Sequence, residues 1–79
     1  MPSIKPVVYW RPGCPFCTRL ITGLDEAGVA YDQVNIWDSP DGAAFVRSVA
    51  DGNETVPTVL LGDVAHVNPS PQFVIDAVR

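Results

Sequence analysis

Apolar and polar positions along the 79 residues fall into short runs of two periods, separated by prolines and glycines. Ile4 to Trp10 is rich in β-branched and aromatic residues and stops at Arg11-Pro12-Gly13, which predicts a strand ending in a tight loop. Cys17, Leu20, Ile21, Leu24 and Gly28 then recur at helical spacing. Pro15 suits the first helical position, where its missing N–H is no loss, so Cys14 is the expected N-cap. Ala30 to Trp37 alternates, with Val34 and Ile36 on one side, and predicts a second strand. Ser39-Pro40-Asp41 opens a second helix carrying Ala43, Val46, Val49 and Ala50, and Asp51-Gly52-Asn53 closes it. Pro57 to Leu61, a turn at Gly62-Asp63 and Val64 to Val67 predict a hairpin. Asn68-Pro69-Ser70-Pro71 then starts a last helix, with Phe73, Val74, Ala77 and Val78 as its apolar face.

The order is β-α-β-α-β-β-α. Its strand–helix–strand start implies a right-handed parallel crossover. The hairpin adds two antiparallel strands, giving an α/β domain over residues 1–79 with a mixed four-stranded sheet and three flanking helices. A hydrophobic fraction of 47% against 18% charged residues supports an ordered core and excludes a disordered chain. With two cysteines and one histidine, neither a disulfide framework nor a four-ligand zinc site is expected, and no metal is assigned.

Charge narrows the partners. The net charge is −4, and Lys5, Arg11, Arg19, Arg47 and Arg79 are scattered, which excludes a nucleic acid backbone as a partner. No apolar run approaches the ~20 residues that span a bilayer, so no membrane association is expected. Met1-Pro2-Ser3-Ile4-Lys5 has no apolar signal core, and a cytoplasmic location is expected. In a reducing compartment, two cysteines three positions apart point to chemistry rather than to a structural bridge.

Cys14-Pro15-Phe16-Cys17 sits between a predicted strand and a predicted helix. A sulfur at the N-cap meets unpaired amide N–H groups and the positive end of the helix dipole, which favour thiolate over thiol. Cys14 is therefore the expected accessible nucleophile and Cys17, on the core stripe, the buried resolving thiol. Arg11 adds positive potential near the sulfur, Pro15 starts the helix, and Phe16 offers an apolar edge. Thr55-Val56-Pro57 lies about forty residues downstream at a strand start. A cis Pro57 would turn the Thr55-Val56 backbone toward Cys14, where the Val56 N–H and C=O can pair with an extended substrate backbone.

With these residues in view, the chain resembles the glutaredoxins. The resemblance rests on Cys14-Pro15-Phe16-Cys17 after a strand, Arg11-Pro12 before it, Thr55-Val56-Pro57 and the element order, and it spans essentially the whole chain. It is closer still to the actinobacterial mycoredoxins, through Thr55-Val56-Pro57-Thr58-Val59 followed after a hairpin by Asn68-Pro69-Ser70. The resemblance implies a thioredoxin-like fold and a thiol–disulfide oxidoreductase that reduces mixed disulfides between proteins and a low-molecular-weight thiol. It favours mycothiol over glutathione as co-substrate, with no tightly bound cofactor and a monomeric protein. Asn68 and Ser70 are then expected to help hold the small thiol. Two other readings stay open: a NrdH-like redoxin reduced by a flavoprotein reductase, and a module holding an iron–sulfur cluster across a dimer.

Two departures bear on the small thiol. Glutathione-using relatives carry Gly-Gly-x-Asp where this chain has Val67-Asn68-Pro69-Ser70, which leaves Ser70 and the following amides as an anion site. Many relatives have a basic residue before Thr-Val-Pro; this chain has Glu54, an acid expected to repel a carboxylate and to accept from sugar hydroxyls. Of the remaining candidates, Trp37 is expected to pack under the second helix, His66 to lie in the hairpin, and Arg19 to border the groove or face solvent.

Overall fold

Cys14, Ser39 and Ser70 each precede a proline, and each caps a helix in the computed structural model, which describes residues 4–79. The elements are β1 (Val7–Trp10), α1 (Pro15–Glu26), β2 (Asp32–Asn35), α2 (Pro40–Val49), β3 (Thr58–Leu61), β4 (Val64–Val67) and α3 (Pro71–Val78). Met1, Pro2 and Ser3 of the segment read as lacking a signal core lie outside the described residues. The sheet order is β2-β1-β3-β4, with β1 parallel to β2 and antiparallel to β3, and β4 antiparallel to β3. This is the predicted architecture.

The strands are shorter than the pattern suggests. β1 begins only after Pro6, which has no N–H to give the ladder; the Pro6 carbonyl still accepts from the Asp32 N–H at 2.9 Å. β2 stops at Asn35, whose side-chain oxygen accepts the Trp37 N–H and whose carbonyl accepts the Asp38 N–H, both at 3.0 Å. Those bonds fold the chain into a turn. Trp37 consequently projects into solvent, 63% exposed, and does not pack under α2.

Two cores flank the sheet. On one side, Val8, Val59 and Leu61 meet Leu20 and Leu24 of α1 and Val74 and Ile75 of α3. On the other, Ile36, Ala43 and Val46 gather around the two cysteines and Val56, with the Tyr9 and Phe45 rings 4.9 Å apart beside them. α1 ends in a Schellman turn: the Val29 N–H reaches the Leu24 carbonyl and the Gly28 N–H the Asp25 carbonyl. Gly28, at φ +71, stands just past the helix and is no part of its apolar face. The face of α3 also differs from expectation: Val74 and Ile75 are buried, while Phe73 and Ala77 face out, as does Val49 at the end of α2. α1 and α3 approach so closely that a Cβ on Gly23 would lie 2.6 Å from Pro71 Cβ.

Candidate active site

β1 delivers the chain to Arg11-Pro12-Gly13, where Gly13 at φ +75 turns it into α1 in a conformation other residues resist. Cys14 follows in an extended conformation and acts as the N-cap. Its Sγ accepts the Cys17 N–H at 3.2 Å, and its carbonyl accepts the Thr18 N–H at 3.1 Å. A sulfur thus fills the role a serine or aspartate oxygen fills elsewhere. Pro15 takes the first helical position, and the Phe16 N–H is one of the helix-start donors with no intrahelical acceptor.

The loop before β3 supplies the opposing wall. The Val56–Pro57 peptide bond is cis. The Cys14 thiol donates to the Val56 carbonyl across 3.7 Å. The Thr58 hydroxyl donates to the Thr55 carbonyl at 2.8 Å, which pins the loop from below. Among the described residues the Val56 N–H makes no hydrogen bond. Asn68, in a left-handed conformation at φ 51, donates its N–H to the Pro57 carbonyl at 2.7 Å and draws the β4–α3 connection against the same loop.

Burial does not separate the two sulfurs as expected. Cys14, expected to be open to solvent, is only 5% exposed, close to the 2% of Cys17. The inward bonds to Cys17 and Val56, and the packing of Ile36, Ala43 and Val46 beneath, turn its side chain away from water. Burial pushes the Cys17 thiol up to about 12, and the Cys14 sulfur beside it adds to the rise. The Arg11 backbone and guanidinium oppose that shift without cancelling it. Both cysteines are free thiols.

Two of the expected small-thiol ligands, Arg11 and Ser70, sit differently from expectation. The Arg11 guanidinium folds back onto the Pro12 carbonyl at 3.2 Å. It lines a cleft of about 200 Å³ with Trp10, Cys17 and Gln33, on the α1–β2 side of the motif. Ser70 is committed to capping α3 through the Phe73 N–H at 3.1 Å, and it lines a separate cleft with His66 and Phe73, whose rings are 4.8 Å apart. Phe16, by contrast, stands 59% exposed at the motif. Thr55 is exposed as well. Glu54 is not a free acid: it binds Arg47 at 2.7 Å, joining the end of α2 to the loop that carries Val56. The pattern of polar positions gave no sign of that pair, because seven residues and a helix end separate its members.

Two contributors escaped the sequence. Ile36, Ala43 and Val46 form the floor under the sulfurs; the apolar stripe of α2 announced a buried face but not what it covers. The Trp10 indole nitrogen is buried with no hydrogen-bond partner beside the same cluster. Among the described residues, no group of three or more His, Cys, Asp or Glu side chains is placed to hold a metal, and no helix is long and apolar enough to cross a membrane.

Comparison with known proteins agrees with this geometry. The family model described as Glutaredoxin matches residues 7–67. Mycoredoxin 1 of Corynebacterium glutamicum is 39% identical over 73 residues, covering 91% of this chain and 90% of that one. A provisionally named glutaredoxin of Mycobacterium tuberculosis is 44% identical over 64 residues, covering 80% of this chain and 76% of its own. Among solved structures, NrdH-redoxin from Escherichia coli superposes with a TM-score of 0.76 at 22% identity, covering 91% of this chain and 92% of that one. At that identity the likeness speaks to fold.

Proposed function

The chain belongs to the glutaredoxin family and is a thiol–disulfide oxidoreductase, and from that premise we propose that Cys14 carries the reaction on mixed disulfides between proteins and mycothiol. The observation that carries the reading is the position of the Cys14 sulfur, between the Cys17 N–H at 3.2 Å and the Val56 carbonyl at 3.7 Å. The N–H is a donor for negative charge on the sulfur. The carbonyl, together with the unpaired Val56 N–H, forms a one-residue edge on which an extended substrate backbone can pair.

The cycle balances without a further cofactor. The Cys14 thiolate attacks the mycothiol sulfur of the mixed disulfide, and the protein thiolate leaves and takes a proton from solvent. Cys14 is then joined to mycothiol. A second mycothiol thiolate attacks the bound mycothiol sulfur, forms the mycothiol disulfide and returns Cys14 as thiolate. Alternatively, Cys17 attacks the Cys14 sulfur, expelling mycothiol and leaving an intramolecular disulfide for a reductant. A Cys17 thiol held up at about 12 is a poor nucleophile near neutrality, which favours the first exit.

The choice of mycothiol is supported by the likeness to Mycoredoxin 1 over nine-tenths of both chains and by the absence of the acid and the glycine pair that glutathione-using relatives carry before the last helix. Phe16, Thr55, Val56 and Asn68 are the residues best placed to line the small thiol's path. The test is a coupled assay offering three electron sources: mycothiol with its reductase, glutathione with its reductase, and a thioredoxin-type flavoprotein reductase alone. Turnover fastest with mycothiol supports the reading. Turnover fastest with the flavoprotein alone replaces it with a NrdH-like role.

A further inference from the structure

We propose that the outer edge of β4 is a self-association surface, on which a second copy of this chain pairs its own β4 antiparallel, about a two-fold axis between the two His66 residues. β4 is last in the sheet order β2-β1-β3-β4, so one side of it has no neighbouring strand. The register to β3 shows which groups face that side. Val67 stands opposite Thr58, and the next residue, Asn68, gives its N–H to the Pro57 carbonyl at 2.7 Å. Main-chain groups alternate along an antiparallel ladder, so Val64 and His66 face β3, while Ala65 and Val67 turn their N–H and C=O groups outward. Among the described residues, no turn, loop or cap bond uses the main chain of either.

This edge lacks the devices that keep a free strand single. From Val64 to Phe73 there is no Asp, Glu, Lys or Arg, and neither a proline nor a bulge interrupts β4. Val64, Val67 and Phe73, large apolar side chains left exposed, gather here. A cleft of about 400 Å³ lies beside the strand, lined by Ala65, Val67 and the stacked His66 and Phe73 rings. The opposite edge is guarded: β2 starts at Asp32, which pairs with Lys5 at 3.2 Å, and both side chains stay more than half exposed.

A second β4 fits because the outward groups are self-complementary. A two-fold axis at His66 sets Ala65 opposite the second copy's Val67, and Val67 opposite the second copy's Ala65. Each pair exchanges both N–H to C=O bonds, so every outward donor and acceptor is used. The two His66 residues then meet as a non-hydrogen-bonded pair, with Cα atoms about 4.5 Å apart, on the face that carries Phe73. The uncharged seam lets two chains of net charge −4 meet without setting like charges opposite one another. A strand of 4 residues falls short of the ~800 Å² per partner in a stable complex. The dimer is therefore weak, and the monomer implied by the family resemblance is its dilute form.

Sedimentation equilibrium of the full chain tests this, with excess reductant so that no disulfide between copies contributes. The average mass should rise from one chain at about 10 µM toward two at about 1 mM, the range of weak contacts. Ala65→Pro removes an outward N–H and no bond to β3. His66→Glu sets two carboxylates face to face. Each variant should stay a single chain at about 1 mM while keeping its thiol–disulfide reductase activity. An equimolar mixture of His66→Glu and His66→Lys should associate again, more strongly at low salt than at high. An unaltered chain that stays single at about 1 mM overturns the proposal. Association that survives both Ala65→Pro and His66→Glu places the contact elsewhere and overturns it too, as does a mixture that stays unpaired. Should Ala65→Pro fail to fold, the His66 variants decide.

Discussion

The Cys14 thiol donates to the Val56 carbonyl across 3.7 Å, although 42 residues separate them in the chain. That contact joins the start of α1 to the loop before β3, the two walls of the site. α1 must begin at Pro15 for Cys14 to be its cap, and the 55–57 loop must be held from behind. The Thr58 hydroxyl on Thr55 and the Asn68 N–H on Pro57 hold it. From these relationships, specific outcomes are expected.

The first concerns pH and the resolving thiol. Cys17 attacks only as thiolate, and burial pushes it up to about 12. The step in which Cys17 expels a small thiol from Cys14 should accelerate about tenfold per pH unit between about pH 7 and pH 9. Stopped-flow or quenched mass spectrometry on a preformed Cys14 adduct measures it. A rate that is flat over that range would show that Cys17 is not held protonated.

The same shift has a stability consequence with a defined sign. The folded-state value of Cys17 lies above its ordinary 9.0, so the unfolded chain releases this proton first. The contribution is fully present below about pH 9 and is lost as pH rises toward 12. Urea midpoints of the reduced protein should therefore fall more steeply above pH 9 than those of Cys17→Ser. Parallel curves would contradict the shift.

A third expectation tests the contact between α1 and α3. Alanine at Gly23 gains helix propensity worth about 1 kcal/mol, yet its Cβ would stand 2.6 Å from Pro71 Cβ. The pyrrolidine ring cannot swing aside as a flexible side chain would, so the helices must part, at a cost of about 1–3 kcal/mol. Gly23→Ala should lower the urea midpoint despite the favourable propensity. A rise would show that α3 moves freely.

Caps are tested away from the sulfurs. The Ser39 hydroxyl accepts the Gly42 N–H at 3.0 Å at the start of α2. Ser39→Ala should cost about 1 kcal/mol in urea unfolding and leave adduct transfer to Cys14 within about twofold, since a well-formed α2 still floors the site.

The helix starts were legible because three prolines each follow a residue whose side chain can accept an N–H: Cys14, Ser39 and Ser70. Capping chemistry is local, and a sequence displays it. The face of α3 was not legible. Five of its eight residues, Phe73, Val74, Ile75, Ala77 and Val78, are apolar, and stripes about 100° apart fit them equally well. Packing against Leu20 and Leu24 of α1 and Val8, Val59 and Leu61 of the sheet selects the one that buries Val74 and Ile75. Within the site, the two sulfurs and the 55–57 loop could be read from spacing. The burial of Cys14 and the Arg47–Glu54 pair could not, because both depend on how α2 lies beneath the motif and on bonds between distant segments.

The most direct test of the central claim compares Cys14→Ser with Cys17→Ser in the release of mycothiol from a protein mixed disulfide, with mycothiol and its reductase supplying electrons. Cys14→Ser should abolish turnover, while Cys17→Ser retains most of it, because a second mycothiol can complete the cycle without the buried thiol. Equal loss in both variants would contradict the assignment of the reaction to Cys14 alone.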